Sequence, residues 1–430
     1  MDERLEKAKA ILKEYGQEHL LVHWEKLTDE LKEKLLEQIE ETDFEEVNQL
    51  YELTKENAKN TGEDKIEPIK YVDSQRLSKE EKRKIEDVGN QEIKNKRYAV
   101  VTMAGGQGTR LGHNGPKGTY MVETDEGRKS LFQILCEKLK EKQKSEGVAV
   151  DWYIMTSNQN NDDTIKFFEE NDYFGYDKNA VKFFKQSELP MLDEEGKILL
   201  TEEGIMKKGA NGHGGVFSSM KVNGIIDDMK EKGTEWVFIS GVDNVLANFD
   251  DPKIVGLAKS GNYQMVGESV IKCGPEEKAG VFCKRNGRTS VIEYTEISDE
   301  MANLRDNNGD LVYGDAHILL NLFNIKAIEK VCDEKLPYHV AHKKATYMGK
   351  DGNIVEGKEP NSYKFESFLF DAFEKFDDVI IYRELRENVF SPIKNREGVD
   401  SPETAIKALN AKLRKEKAHG LSRDIWEMVK

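Results

Sequence analysis

The sequence has no run approaching the roughly 20 consecutive apolar residues that a membrane-spanning helix needs. Its first residues, Met-Asp-Glu-Arg-Leu-Glu-Lys, lack the apolar centre of a secretory signal, so a cytoplasmic chain is expected. Cysteine is scarce: Cys136, Cys273, Cys283 and Cys332 are the only four, and no two form a C-x-x-C pair. That excludes the usual zinc and dithiol spacings and leaves free thiols as the expectation. An excess of positive charge is also missing. With 65 Lys and Arg against 81 Asp and Glu, the net charge is −16 and is spread along the chain. Nucleic-acid binding is therefore not expected, because proteins that track phosphates concentrate basic residues. Any phosphate site must be local, built from backbone N–H groups, a few Lys or Arg, and a metal ion. Repeats and low-complexity tracts are absent too. At 430 residues the chain exceeds what one compact core organises, which asks for roughly two or three domains.

What is present divides by texture. Residues 1–96 are rich in Lys, Glu and Leu, have no proline before Pro68, and space apolar residues helically, as in Leu5, Ala8, Ile11, Leu12 and Tyr15. Ser78-Lys-Glu-Glu81 fits a capping box that opens a further helix. At Arg97 the pattern changes. Tyr98–Met103 is a short apolar run, followed by a glycine cluster and the helical spacing Leu131, Ile134, Leu135, Leu139, the order that begins a βαβ unit. Further strands are expected at 151–156, 181–185, 236–240, 263–271, 314–323 and 379–382, with helical stretches between many of them. Such alternation predicts an α/β fold with a mixed, mostly parallel sheet and helices on both faces. Asn286-Gly287 between two β-rich runs predicts a hairpin. The expected division is a helical N-terminal region (1–96), an α/β domain (97–385) and a small Lys-rich C-terminal piece (386–430).

The most informative segment is Met103-Ala-Gly-Gly-Gln-Gly-Thr-Arg-Leu-Gly112, with Pro116-Lys117-Gly118 shortly after. Glycines directly after a buried strand let the backbone approach a ligand, either around phosphates or against a base; the same residues also suit a tight strand-to-helix turn. The dinucleotide fingerprint is excluded because Leu111 stands where it needs glycine, which removes a dehydrogenase reading. The P-loop is excluded because Gly-Lys-Ser/Thr is missing. The full phrase resembles the signature of sugar-1-phosphate nucleotidyltransferases, in particular the UDP-N-acetylhexosamine and UDP-glucose pyrophosphorylase family. The resemblance implies a Rossmann-like fold in which Gly105, Gly106 and Gly108 line UTP while Arg110 and Lys117 meet its phosphates.

It continues through Gln186-Ser-Glu-Leu-Pro190, which implies that Gln186 reads the uracil edge, an imide that an amide can pair with. Ala210-Asn-Gly-His-Gly-Gly-Val-Phe217 resembles a second family loop, in which Gly214 would serve the nucleotide and His213 and Gly215 the sugar phosphate. Alone, a histidine in a loop is more often a surface residue. Trp236–Asn244 ends in Asp243 at the C-terminal edge of a strand, where open α/β sheets bind ligands. Asp243 resembles the family's metal-binding aspartate, implying Mg²⁺ held by one hard carboxylate with phosphate oxygens and water; it could equally cap its own turn. Glu293-Tyr294 resembles the pair that binds sugar hydroxyls. Pro360–Asp371 and Phe390–Asn395 place Phe368 and Phe370 beside the sugar and Lys394 at the phosphates. Periodicity pulls differently: Phe365, Phe368, Phe373 and Phe376 fit one helical stripe, more often core than binding surface. Asp315 and His317 stand where the family supplies a sugar-binding amide, and His213 mixes two branches of the family.

The expected activity is transfer of a uridylyl group from UTP to N-acetylglucosamine 1-phosphate, with glucose 1-phosphate as the alternative acceptor. The phosphate acceptor is already ionised, so positioning and charge neutralisation suffice. A catalytically silent nucleotide-sugar binder is the remaining rival, and joint retention of Arg110, Lys117, Asp243 and Lys394 argues against it.

Overall fold

The computed structural model describes residues 2–56 and 64–428. Contacts divide the chain into two compact units, both discontinuous in sequence. The smaller comprises Met1–Glu63, Ser187–Gly215 and Leu336–Leu369; the larger comprises Asp64–Gln186, Val216–Lys335 and Phe370–Lys430. Among the described residues no helix is long and apolar enough to cross a membrane. All four cysteines are free thiols.

The larger unit is built on an eleven-stranded sheet. Its main path runs Tyr71–Asp73, Val379–Arg383, Met265–Ile271, Asp315–Asn324, Trp236–Gly241, Tyr98–Met103, Asp151–Thr156, Val181–Lys185. Neighbours along it are parallel except at Asp315–Asn324, which runs antiparallel to both of its partners. The apolar run Tyr98–Met103 is buried throughout, as a central parallel strand must be. Alternate side chains go to opposite faces. Val100, Phe238, Leu320 and Leu322 join the large cluster packed by the helices Lys79–Lys94, Leu131–Glu146 and Pro252–Gly261. On the other face, Phe323 meets Phe217 of the helix Val216–Val222 edge to face at 5.5 Å.

The Ser78 capping box forms with both reciprocal bonds. The hairpin forms about Asn286-Gly287, with Arg285 opposite Arg288 and φ positive at both turn residues (52° and 81°), a conformation suited to Asn-Gly. Two short strands, Ile66–Pro68 and Tyr71–Asp73, interrupt the helical texture of residues 1–96 and pair with the large sheet. The C-terminal helix Pro402–Met428 buries Ala405 and Leu409 in the large cluster.

The smaller unit gathers helices Asp2–Glu14, Asp29–Glu41 and Phe44–Glu56 around Leu12, Leu35, Leu36, Ile39 and Val47, with Leu192, Ile198, Leu200 and Phe365. Two glutamines, Gln17 buried and Gln38 half-buried, complete the backbone pairing. Gln17 donates to Gly196 O and accepts from Ile198 N, both at 3.0 Å, and Gln38 does the same with Met206 at 3.1 and 2.9 Å. The expected phenylalanine stripe is not a helix. Residues Ser362–Ser367 form a strand antiparallel to Tyr338–Lys343, and a 3₁₀ turn, Leu369–Lys375, follows. Strand pairing through Phe365 overrides the helical spacing.

Candidate active site

In the larger unit, the glycine loop leaves the Tyr98–Met103 strand and folds back on itself: Lys117 N donates to Gly106 O (3.0 Å) and Gly108 N to Gly115 O (2.9 Å). The three marked glycines differ. A Cβ on Gly105 would strike the Gln186 side-chain amide, one on Gly108 would strike His113, and one on Gly106 would meet open space. Gln186 therefore lies directly against the loop, its backbone N bonded to Thr156 O at 2.7 Å. Arg110 stands exposed on the 3₁₀ turn Thr109–Leu111.

Lys117 reaches across to Asp243, Nζ to Oδ2 2.9 Å, with both side chains largely covered. Asp243 follows the Trp236–Gly241 strand, at the end where the sheet rule places ligands. Its backbone anchors a second basic group. Ile393 N donates to Asp243 O (2.9 Å), while the buried Asn244 side chain donates to Val389 O (2.8 Å) and accepts from Ser391 N (2.9 Å). Those bonds fix the segment carrying Lys394, whose exposed ammonium lies 3.9 Å from Asp400. Burial pushes the Asp400 carboxyl above the usual carboxylate range, and the charge of nearby Asp243 adds to it against the pull of Lys394. Sequence reading missed Asn244 and Asp400. Asn244 directly adjoins a marked residue; Asp400, in a loop after Lys394, carries no local signal.

Asp243 offers hard oxygen, and Oδ2 already holds Lys117. Among the described residues no group of three or more His, Cys, Asp or Glu could hold a metal ion. A cation fits here only if it draws most of its donors from a ligand and water, a habit of Mg²⁺ with phosphates.

A third cluster of the larger unit joins Glu293, His317 and Phe370. The Glu293 carboxylate covers Gly280, whose carbonyl accepts His317 N–H at 2.9 Å. The His317 ring meets Phe370 edge on at 5.8 Å and lies 3.2 Å from the Asn321 amide. Asp315, by contrast, is 3 % exposed and paired bidentately with Arg383 at 2.7 and 2.6 Å. It is a buried structural ion pair rather than a ligand group. Leu319, between His317 and the helix-facing Leu320, is held at φ 57° with its Cδ2 against Gly241, a strained conformation of a kind that clusters at functional sites.

In the smaller unit the second glycine loop is braced by its own chain. Gly212 has φ 61°, and a Cβ there would strike Ser367 O; a Cβ on Gly214 would strike the Phe368 backbone, and one on Gly215 would crowd Ser187 and Asn211. Gly214 N donates to Ser367 O at 2.9 Å, so that donor is committed to the fold. His213 Nδ1 accepts from Leu369 N at 2.9 Å, which places the ring proton of the neutral form on Nε2. Phe368 is stacked on both His213 (5.3 Å) and His339 (4.2 Å). His339 was not marked by sequence.

Residues 42–405 match the family model described as UTP–glucose-1-phosphate uridylyltransferase. The chain belongs to this family. A UDP-N-acetylglucosamine pyrophosphorylase from Saccharomyces cerevisiae is 34% identical over 92% of this chain and 88% of its own. A UDP-N-acetylhexosamine pyrophosphorylase-like protein 1 from Xenopus tropicalis is 34% identical over 92% of this chain and 81% of its own. The crystal structure of a uridine diphosphate N-acetylglucosamine pyrophosphorylase from Trypanosoma brucei superposes with a TM-score of 0.82 at 30% identity, covering 95% of this chain and 84% of that one. The uridylyltransferase family thus accounts for the fold.

Proposed function

We propose that this uridylyltransferase joins UTP to N-acetylglucosamine 1-phosphate, forming UDP-N-acetylglucosamine and pyrophosphate, in the cytoplasm. The observation that carries the reading is the meeting of Lys117 and Asp243 at 2.9 Å, at the strand end beside a glycine loop, with the Lys394 segment bonded to Asp243's own backbone.

An oxygen of the sugar phosphate attacks the α-phosphorus of UTP, a new P–O bond forms, and the bond to the β-phosphate breaks with its electrons leaving on pyrophosphate. No side chain needs to accept a proton or form a covalent intermediate. Gly105 and Gly106 present backbone to the nucleotide, and Gln186 pairs with the uracil imide. Gly108 keeps the loop tight against His113, and Gly214 and Gly215 keep the second loop tight. Arg110, Lys117 and Lys394 neutralise the charge that builds on the leaving group. Asp243 would hold a divalent cation, Mg²⁺ in this reading, which supplies further neutralisation of the phosphates.

For the sugar, Glu293 accepts hydroxyl hydrogen bonds, and His317 and Phe370 form one wall. The stretch 97–385 carries most of this chemistry, and the 386–430 block contributes Lys394. The test is pyrophosphate release from UTP with a panel of sugar 1-phosphates. N-acetylglucosamine 1-phosphate is expected to give the highest kcat/KM. Preference for glucose 1-phosphate would show that His213 and His317 outweigh the aromatic wall, and no release with any sugar would end the proposal.

A further inference from the structure

We propose that Asn160 is a positioning residue for the nucleotide: its side-chain amide sets the curvature of the glycine loop and, through Gly106, the place of Lys117. The inference rests on the uridylyltransferase reading above. Asn160 lies in the turn after the Asp151–Thr156 strand and is fully buried. A buried amide must satisfy both its acceptor and its donors. Its Oδ1 accepts from Ser157 N at 2.8 Å, an ordinary local turn bond. Its Nδ2 does something less local, donating to Ala104 O at 3.0 Å and to Gly106 O at 3.3 Å, on the loop that follows the neighbouring strand.

The two acceptors bracket Gly105. In a trans peptide the C=O and the following N–H point in opposite directions. Turning the carbonyls of 104 and 106 toward Asn160 therefore turns the N–H groups of Gly105 and Gln107 away from it. Gly106 O is also the acceptor for Lys117 N, so one carbonyl ties the amide to the backbone of the lysine that meets Asp243. Gly106 is also the glycine whose Cβ position opens onto free space. Capping of the helix Asn161–Glu170 does not explain the residue, because Asn160 occupies its N-cap and makes no side-chain cap bond.

The test compares wild type with Asn160→Ala, with Asn160→Asp and with the control Asn161→Ala. Asn160→Asp keeps the acceptor for Ser157 and loses both long-range donors. Asn161 sits in the same turn, but its buried side chain bonds to Thr156 and Asp162. Steady-state kinetics with both substrates, calorimetric binding of UTP and thermal midpoints are read for each. The expected result is a rise of about tenfold or more in KM and Kd for UTP, with lower kcat, in both Asn160 variants. The KM for the sugar phosphate stays within about twofold, and Asn161→Ala keeps near-wild-type kinetics whatever its thermal midpoint. If Asn160→Ala does not fold, the isosteric Asn160→Asp decides. Unchanged UTP affinity and kcat in a folded Asn160 variant overturns the proposal. So does an equal loss in Asn161→Ala, or failure of both Asn160 variants to fold while Asn161→Ala folds. Wild type that binds no UTP would instead remove the underlying functional reading.

Discussion

Lys394 carries its charge on an exposed side chain, but its backbone is stapled to Asp243 through Ile393 and Asn244. A charge positioned before the reaction begins stabilises the transition state more than the ground state. Lys394→Ala is expected to lower kcat by about 10²–10³ with a modest change in KM, and initial-rate kinetics separate the two. A large rise in KM at constant kcat would assign the lysine to uniform binding. Glu268 is the opposite case, an ionisable group that the proposed chemistry does not use. It is 1 % exposed on a central strand, opposite Tyr382, and among the described residues neither its carboxyl oxygens nor the Tyr382 hydroxyl has a hydrogen-bond partner. Burial holds its pKa well above the usual carboxylate range, with Asp251 and Glu384 adding to the shift. The folded state therefore keeps a proton that the unfolded chain releases near pH 4. That retained proton costs no stability below that pH, and its cost grows as pH rises toward the folded value. Glu268→Met should raise stability at pH 7 by roughly 1–3 kcal/mol and by less at pH 4. Denaturant melts at the two pH values measure the difference, and an equal effect at both would show that Glu268 does not titrate on unfolding.

At the scale of elements, the helices Lys79–Lys94 and Pro252–Gly261 touch backbone to backbone. A Cβ on Gly89 would collide with Pro252 O, and one on Gly256 with Ile85 O. Neither main chain can move without disturbing the sheet it covers, so Gly256→Ala should destabilise by about 1–3 kcal/mol despite alanine's better helix propensity. Calorimetry reads this directly, and a stabilised Gly256→Ala would mean the helices part easily. That crossing was invisible in the sequence, where both glycines look like weak points in helical patterns. The elements that were legible are those whose signal is local. Asn286-Gly287 specifies its turn through φ, Ser78 and Glu81 satisfy each other's orphan N–H groups, and Tyr98–Met103 is apolar without alternation because both its faces are covered. The Phe365–Phe376 segment misled because its spacing mimics a helix while its partner strand, Tyr338–Lys343, lies more than 20 residues earlier. The candidate site residues divide in the same way. Lys117 and Asp243 sit in dense motifs, whereas Asn160, Asn244 and His339 act through bonds or stacking with residues far away in sequence.

For the whole molecule, composition suggests three consecutive blocks, but contacts group residues by core. Leu12, Leu35 and Ile39 share a cluster with Leu192 and Ile198, and again with Phe365. A hydropathy pattern shows that a helix has an apolar face, never which later segment will cover it. This sets the order of events at the ribosome. The first three helices leave the exit tunnel with their apolar stripes formed, while the last residues that cover them are roughly 300 positions behind, a wait of roughly 15–60 s at about 5–20 residues per second. Nascent chains arrested before residue 336 should expose the N-terminal helices to limited proteolysis and to chaperone crosslinking, and chains arrested well beyond Leu369 should protect them. Early protection would mean the helices close on one another alone. The same interleaving means that no single cut releases either unit whole, so a nonsense mutation anywhere in the middle of the gene leaves two unfinished cores rather than one finished one.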